Sequence, residues 1–146
     1  MAINPKTLPK PTPETQHFWD GARAGKLLLQ QCDNCQHIYF PPRPFCPDCA
    51  SRAVTIFQAS GKGRLYSYVI NHRPPRWIEG HYSIAVVELD EGPRLMSNIV
   101  EVEQTPEALI LDMPLDVVFD AVTDDITLVK FRPADPASRT TSGGGA

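Results

Sequence analysis

The segment from Cys32 to Cys49 constrains the fold of this 146-residue chain more strongly than any other part. It carries two Cys-x-x-Cys pairs that are separated by ten residues. Few of its 18 residues are large and apolar, so the segment cannot fold around a hydrophobic core of its own. We therefore predict that a covalent or metal cross-link holds it together.

Metal binding accounts for this pattern better than disulfide bonds do. No apolar run approaches the roughly 20 residues of a membrane helix, and the first 13 residues lack the apolar stretch of a secretory signal. We therefore expect a cytoplasmic protein with no membrane span. Paired cysteines in a reducing compartment are more often metal ligands than disulfide partners.

The spacing predicts one structural Zn²⁺ per chain, bound by Cys32, Cys35, Cys46 and Cys49. A two-residue gap lets both sulfurs of a pair face one point, and two such pairs supply the four thiolates of a closed tetrahedral site. Rubredoxin-type iron is the alternative that the pattern leaves open. The gap between the pairs is far shorter than in a rubredoxin, however, and neither pair is followed by the glycine usual there, so zinc is favoured.

The remaining sequence predicts a mainly β fold with one N-terminal helix. Thr12 as the cap and Pro13 at the first helical position predict a helix over about Glu14–Arg23, which stops at Gly25. Beyond Gly61, apolar or alternating runs of strand length predict five strands, which suit a closed OB-fold barrel. The predicted strands are Leu65–Asn71, Ser83–Leu89, Arg94–Val100, Leu115–Val122 and Ile126–Arg132.

These patterns divide the chain into four parts. Residues 1–28 are expected to form an extended N-terminus and the helix, residues 29–58 the zinc ribbon, and residues 59–133 the OB-fold. Residues 134–146, which are mostly Pro, Ser, Thr, Gly and Ala, are expected to form a disordered tail.

The formal net charge of −3 argues against a general nucleic-acid binder, but the charges are unevenly distributed. Residues 49–78 contain five basic residues and no acidic residue, whereas residues 79–135 contain thirteen acidic and three basic residues. Within the basic part, Tyr66–Trp77 combines aromatic rings with Arg73 and Arg76, which could stack a base and bind phosphates of nucleic acid or of coenzyme A. The competing interpretation places the tyrosines in the barrel and the arginines in a solvated loop.

No catalytic motif accompanies these features. The sequence lacks a Gly-x-Ser-x-Gly elbow, a Walker loop and a Gly-x-Gly-x-x-Gly turn, and its four histidines show no paired ligand spacing. If all four cysteines bind metal, the chain has no free thiol to act as a nucleophile. We therefore predict no catalytic residue and no activity of the chain alone, and we assign no cofactor-binding residue besides the cysteines.

Several ordered stretches are similar to those of one protein family. They are Phe18-Trp19 with Gly21, Tyr39–Arg43 between the cysteine pairs, Ala85–Gly92, and Met113–Phe119 with Phe131–Pro133. Over nearly its full length the chain resembles the acyl-CoA-associated family of small proteins with a rubredoxin-like zinc ribbon followed by a C-terminal OB-fold. Asp112 departs from the family pattern, in which glycine usually precedes Met-Pro.

The resemblance implies a partner role. Such proteins form hetero-oligomers with thiolase-fold enzymes (thiolases, acyltransferases or retro-aldol lyases) that act on acyl-CoA thioesters and supply the nucleophile. This chain is then expected to be an accessory subunit that docks the enzyme; whether it contacts coenzyme A itself stays open. The alternative function is single-stranded nucleic-acid binding, against which the acidic C-terminal half counts.

Overall fold

The structure, a computed structural model, describes residues 7–135 and contains one helix and eight strands in that range. The elements are α1 (Gln16–Arg23), β1 (Leu28–Cys32), β2 (Ile38–Tyr39), β3 (Val54–Gln58), β4 (Lys62–Asn71), β5 (Tyr82–Leu89), β6 (Arg94–Ser97), β7 (Pro114–Ala121) and β8 (Thr127–Pro133). The start of the predicted extended N-terminus and most of the predicted disordered tail lie outside the described residues. Within the described range, no helix has both the length and the apolar character needed to cross a membrane.

Two antiparallel sheets follow one another along the chain. The first has the order β2-β1-β3, and the second has the order β6-β5-β4-β7-β8. The ten-residue strand β4 lies at the centre of the second sheet, where it pairs with β5 on one side and β7 on the other. Burial alternates strictly along β5, as expected for a strand with one face on a core.

The edges of the five-stranded sheet curl toward each other. A β-bulge between Leu65 and Ser67 bends β4, and a parallel bridge joins Ile99, just beyond β6, to Phe131 in β8. The N–H of Val100 donates to the carbonyl oxygen of Phe131 over 2.8 Å and so ties the two edges together. The predicted mainly β architecture, with an N-terminal helix and a five-stranded OB-fold, is thereby confirmed, although the sheet curls into a half-barrel rather than a fully closed one.

One hydrophobic core joins the helix, the first strand and the barrel. Phe18 from α1 and Leu29 from β1 belong to the same buried cluster as Leu65, Leu115 and Phe131 from the barrel strands. Because these parts share a core, the first sheet is anchored to the barrel through β1. The buried face of the helix, which carries Phe18, Gly21 and Ala22, is thus the face that covers the barrel.

The helix begins two residues later than the sequence predicts, at Gln16 rather than Glu14. The N–H of Thr15 donates to the carbonyl oxygen of Thr12 over 3.0 Å, and the N–H of Thr12 donates to Oγ1 of Thr15 over 2.9 Å. The hydroxyl of Thr12, which is the group that would cap a helix, lies 3.0 Å from Oγ1 of Thr15 in this turn, and Thr15 rather than Thr12 directly precedes the helix. At the other end, Gly25 has a φ of 74°, the left-handed conformation expected just after a helix.

The three-stranded sheet has a much smaller core of its own. In the described part of the chain, its buried cluster consists of Cys32, Tyr39 and Cys46, with Val54 packed against them. So small a cluster supplies little hydrophobic stabilisation. The end of this sheet that carries the cysteines therefore depends on bonds to their sulfurs, whereas Leu29, Ile38 and Phe57 pack its three strands against the main core.

Truncation of Leu115 to alanine should destabilise the fold by about 2–5 kcal/mol, because this side chain is fully buried and its removal leaves a cavity in the barrel core. Leu111 is the matched control. It is 57% exposed, so Leu111→Ala should change the free energy of unfolding by less than about 0.5 kcal/mol. Urea unfolding of the full chain, followed by circular dichroism, measures both values. Equal effects of the two substitutions would contradict the assigned core.

Candidate metal centre and exposed basic loop

Two loops bring the four cysteine sulfurs to one point. Cys32 lies at the end of β1 and Cys35 lies in the turn after it, whereas Cys46 and Cys49 lie in the loop between β2 and β3. All four Sγ atoms lie within 4.8 Å of one another. The structure therefore brings together all four residues that the sequence predicts as metal ligands.

The distances between the sulfurs fit a tetrahedral ion. The Sγ atoms of Cys32 and Cys49 are 3.5 Å apart, and those of Cys35 and Cys46 are 3.6 Å apart. Four sulfurs bound to one Zn²⁺ at ~2.3 Å lie ~3.8 Å from each other, so small shifts of the side chains accommodate the ion. Four soft thiolates also favour zinc over the harder magnesium and calcium ions.

The backbone makes the same turn in each cysteine pair. The N–H of Gln36 donates to the carbonyl oxygen of Cys32, and the N–H of Ala50 donates to the carbonyl oxygen of Cys46, both over 2.9 Å. Gln36 and Ala50 have left-handed φ values of 66° and 61°. These residues stand where a rubredoxin has glycine, so each turn keeps the glycine-type conformation at a cost in backbone strain.

The surroundings of the sulfurs shift their pKa values in opposite directions. The backbone N–H of Ser51 and then the side-chain amide of Asn34, whose Nδ2 is 3.6 Å from the sulfur, lower the pKa of the Cys49 thiol to about 6. At Cys35 the backbone N–H of His37 lowers the pKa, but desolvation and the neighbouring sulfurs raise it to about 12. Four thiolates this close repel one another, and a divalent cation would remove that repulsion.

Arg64 does not add a free positive charge to the basic stretch 49–78. Its guanidinium donates to Glu88 over 2.7 Å and to Asp112 over 2.9 Å, and Glu88 also accepts from Arg94 over 2.8 Å. Arg94 and then Arg64 hold the pKa of Glu88 below its usual value. The strand register places Glu88 directly opposite both arginines, so acidic and basic residues that are distant in sequence neutralise each other here.

The backbone conformation at Asp112 explains why the family usually has glycine at this position. Its φ is 67°, a left-handed conformation that glycine adopts without strain and aspartate tolerates better than most residues. The N–H of Asp112 donates to the carbonyl oxygen of Leu65 over 2.8 Å. The turn into β7 therefore accommodates aspartate at a position where its backbone is left-handed.

The loop between β4 and β5 carries arginines without an acidic partner. We call residues 72–81 the basic loop. Within it, Arg73 and Arg76 are exposed, and no acidic side chain of the described range forms an ion pair with either. Trp77, which is 37% exposed, lines a cleft of about 480 Å³ between this loop and residues 7–9.

The segment Tyr66–Trp77 does not form one continuous stacking surface. Tyr66 lies on the outside of the barrel, where the guanidinium carbon of Arg94 is 3.8 Å from the centroid of its ring. Tyr68 instead packs against the barrel core. As the competing interpretation predicts, both tyrosines belong to the barrel and the two arginines of the segment belong to an exposed loop.

Comparison with known proteins agrees with this two-part architecture. Residues 19–55 match the family described as "ChsH2, rubredoxin-like zinc ribbon domain", and residues 58–120 match "ChsH2, C-terminal OB-fold domain". The solved structure of an Ltp2–ChsH2(DUF35) aldolase contains a chain similar to this one. The two chains superpose with a TM-score of 0.78 at 33% identity, covering 88% of this chain and 100% of that one.

Three curated relatives extend the comparison. A DUF35 domain-containing scaffold protein of Pyrococcus furiosus is 34% identical over 82% of this chain and 93% of its own length. A probable enoyl-CoA hydratase alpha subunit of Thermomonospora curvata is 37% identical over 90% of this chain, which spans 42% of that protein. The benzoylsuccinyl-CoA thiolase subunit BbsA of Thauera aromatica is 25% identical over 75% of this chain and 76% of its own length.

Proposed function

Because this chain belongs to the ChsH2-type DUF35 family of zinc-ribbon and OB-fold proteins, we propose that it is a non-catalytic accessory subunit of an acyl-CoA-processing complex. It docks a thiolase-fold enzyme (a thiolase, acyltransferase or retro-aldol lyase) and helps to shape the coenzyme A site of that enzyme. The similarity to a chain of the Ltp2–ChsH2(DUF35) aldolase carries this proposal. The names of two relatives, an enoyl-CoA hydratase subunit and a benzoylsuccinyl-CoA thiolase subunit, support the same substrate class.

We propose that Cys32, Cys35, Cys46 and Cys49 bind one structural Zn²⁺ in the cytoplasm, where reducing conditions keep the thiols available. The ion would link the end of β1 to the loop between β2 and β3. Four sulfur ligands close the coordination sphere, so no position is left for water or substrate. A ligated thiolate is not a free nucleophile, which places the chemistry on the partner enzyme.

Purified protein should contain one zinc ion per chain, and Cys46→Ser should abolish zinc binding because it removes a buried ligand of the tetrahedron. Asp48→Asn is the matched control, since it alters the same loop without removing a sulfur. Elemental analysis measures the metal, and hydrogen exchange of the β2 and β3 amides reports the order of the ribbon. Iron in place of zinc, or full zinc content in Cys46→Ser, would contradict the assignment.

Co-expression with a thiolase-fold enzyme encoded beside this chain should give a single complex on gel filtration. Chelation of the zinc should release the partner, because the ribbon loses its fold while no catalytic group changes. Separate elution of the two proteins at micromolar concentration, with unchanged enzyme activity, would overturn the proposed function. A complex that survives complete zinc removal would overturn the docking role of the ribbon alone.

The basic loop is the part of this chain that suits the phosphates of coenzyme A. Guanidinium groups bind phosphate oxygens through paired hydrogen bonds, and Arg73 and Arg76 have no acidic partner in the described range that would compete. The exposed ring of Trp77 offers a face on which an adenine could stack. We propose that this loop completes the coenzyme A site jointly with the partner enzyme.

Arg73→Glu and Arg76→Glu should each weaken coenzyme A binding to the complex by about tenfold or more, because each removes a charge-assisted hydrogen bond worth at least ~1.5 kcal/mol. Arg52→Glu is the matched control, since Arg52 is also exposed but lies just before β3 in the ribbon. Isothermal titration of the purified complexes measures the affinities.

Equal affinity in both loop variants and the unmodified complex would contradict the coenzyme A contact, as would an equal loss in Arg52→Glu.

The free chain should not bind a single-stranded oligonucleotide at physiological salt. Tight binding of such an oligonucleotide, released steeply as salt rises, would favour the alternative function in nucleic-acid binding.

A further inference from the structure

His72 and His81 form a pair that the proposed function does not use. Their Nδ1 atoms are 3.1 Å apart, and their rings meet edge to face with centroids 4.3 Å apart. Both side chains are exposed, so dissolved ions can reach them. The pair therefore combines two good metal-ligating groups with free access from solvent.

The pairing of β4 with β5 places the two histidines opposite each other. Asn71 and Tyr82 are the last residues in the register of this strand pair, so His72 and His81 come next on either side. Asn71 holds this end of the hairpin: its Oδ1 accepts from the N–H of Arg73, and its Nδ2 donates to the hydroxyl of Tyr82, both over 2.9 Å. Opposite residues on antiparallel strands have Cβ atoms about 4.5–5.5 Å apart, which lets two imidazoles aim nitrogens at one point.

The 3.1 Å distance between the two Nδ1 atoms matches the spacing of two ligands on one transition-metal ion. Nitrogens bound at ~2.1 Å lie ~3.0 Å apart when the two bonds are at right angles and ~3.4 Å apart in a tetrahedron. From this geometry we propose that His72 and His81 bind one late first-row divalent ion, such as Ni²⁺, Cu²⁺ or Zn²⁺, through their Nδ1 atoms.

This site differs from the cysteine centre because it is open. Among residues 7–135, no third His, Cys, Asp or Glu lies close enough to complete a ligand group with the pair. Water, or a donor atom from another molecule, fills the remaining coordination positions. A site with two protein ligands loads and unloads reversibly, whereas the four-sulfur centre is a permanent part of the fold.

A metal ion at this pair would clip together the two ends of the basic loop. His72 immediately precedes Arg73, and His81 follows Gly80, whose φ of 74° turns the chain back toward β5. An ion shared by the two histidines restricts the eight residues between them, Arg76 included, because it closes them into a ring. Metal binding itself does not depend on the proposed function, although its consequence would be a more ordered basic loop.

The proposal is tested by adding Ni²⁺ to the full chain loaded with Zn²⁺, because mass spectrometry distinguishes the two metals. Native mass spectrometry should show chains that carry one Zn²⁺ and one Ni²⁺. The paramagnetic Ni²⁺ should first broaden the amide NMR signals of residues 71–73 and 80–82. In isothermal titration, His72→Ala and His81→Ala should each weaken Ni²⁺ binding by at least about tenfold. Removing a residue that hydrogen-bonds to a metal ligand already lowers metal affinity by about that factor, and removing the ligand itself should cost no less.

His37→Ala is the control, because His37 contacts Asp48 at 3.4 Å and is not paired with a histidine in the described range. This variant should bind Ni²⁺ as the unmodified chain does. His72 and His81 are exposed, so their variants should keep the zinc content and the unfolding midpoint. The proposal would be overturned by NMR broadening centred elsewhere, by unchanged Ni²⁺ binding in His72→Ala or His81→Ala, or by loss of binding in His37→Ala. The contact between His72 and His81 would then be only a hydrogen bond between two imidazoles.

Discussion

Four cysteine sulfurs converge within 4.8 Å of one another at the end of the three-stranded sheet where the buried core is smallest. Cysteines are two of the three residues in the small buried cluster at this end of the sheet, so hydrophobic burial contributes little to its stability there. The consequence extends beyond the ribbon, because Leu29 of β1 lies in the barrel core beside the helix residue Phe18. A cation at the sulfurs would therefore stabilise the ribbon and the end of the barrel that the helix covers.

The fold determines which charged groups are left for a partner or ligand. Arg64 and Arg94 share Glu88 across paired strands, so their charges are partly neutralised on the barrel surface. Arg73 and Arg76 lie in a loop that projects from the same sheet and have no such neighbour within the described range. The proposed contact with coenzyme A rests on this difference between paired and unpaired arginines.

Local patterns predicted the strands of the barrel well but not the details that depend on competing hydrogen bonds or on register. Alternation marks β5 and β7 because one face of each strand lies on the core. The predicted start of the helix was wrong, because the hydroxyl of Thr12 contacts the hydroxyl of Thr15 in a preceding turn instead of capping the helix. Residues two apart should share a face of a strand, yet Tyr66 and Tyr68 do not, because the bulge in β4 adds a residue between the inward-facing positions.

Residue spacing and periodicity were enough to predict the two-part architecture and the grouping of the four cysteines, because both are properties of neighbouring residues. The family resemblance agreed with both. The tertiary structure decided which of the basic residues in 49–78 stay unpaired and that His72 lies against His81. These outcomes follow from which residues the antiparallel register places opposite each other, and that register depends on the pairing of whole strands and on the bulge in β4 as well as on local alternation.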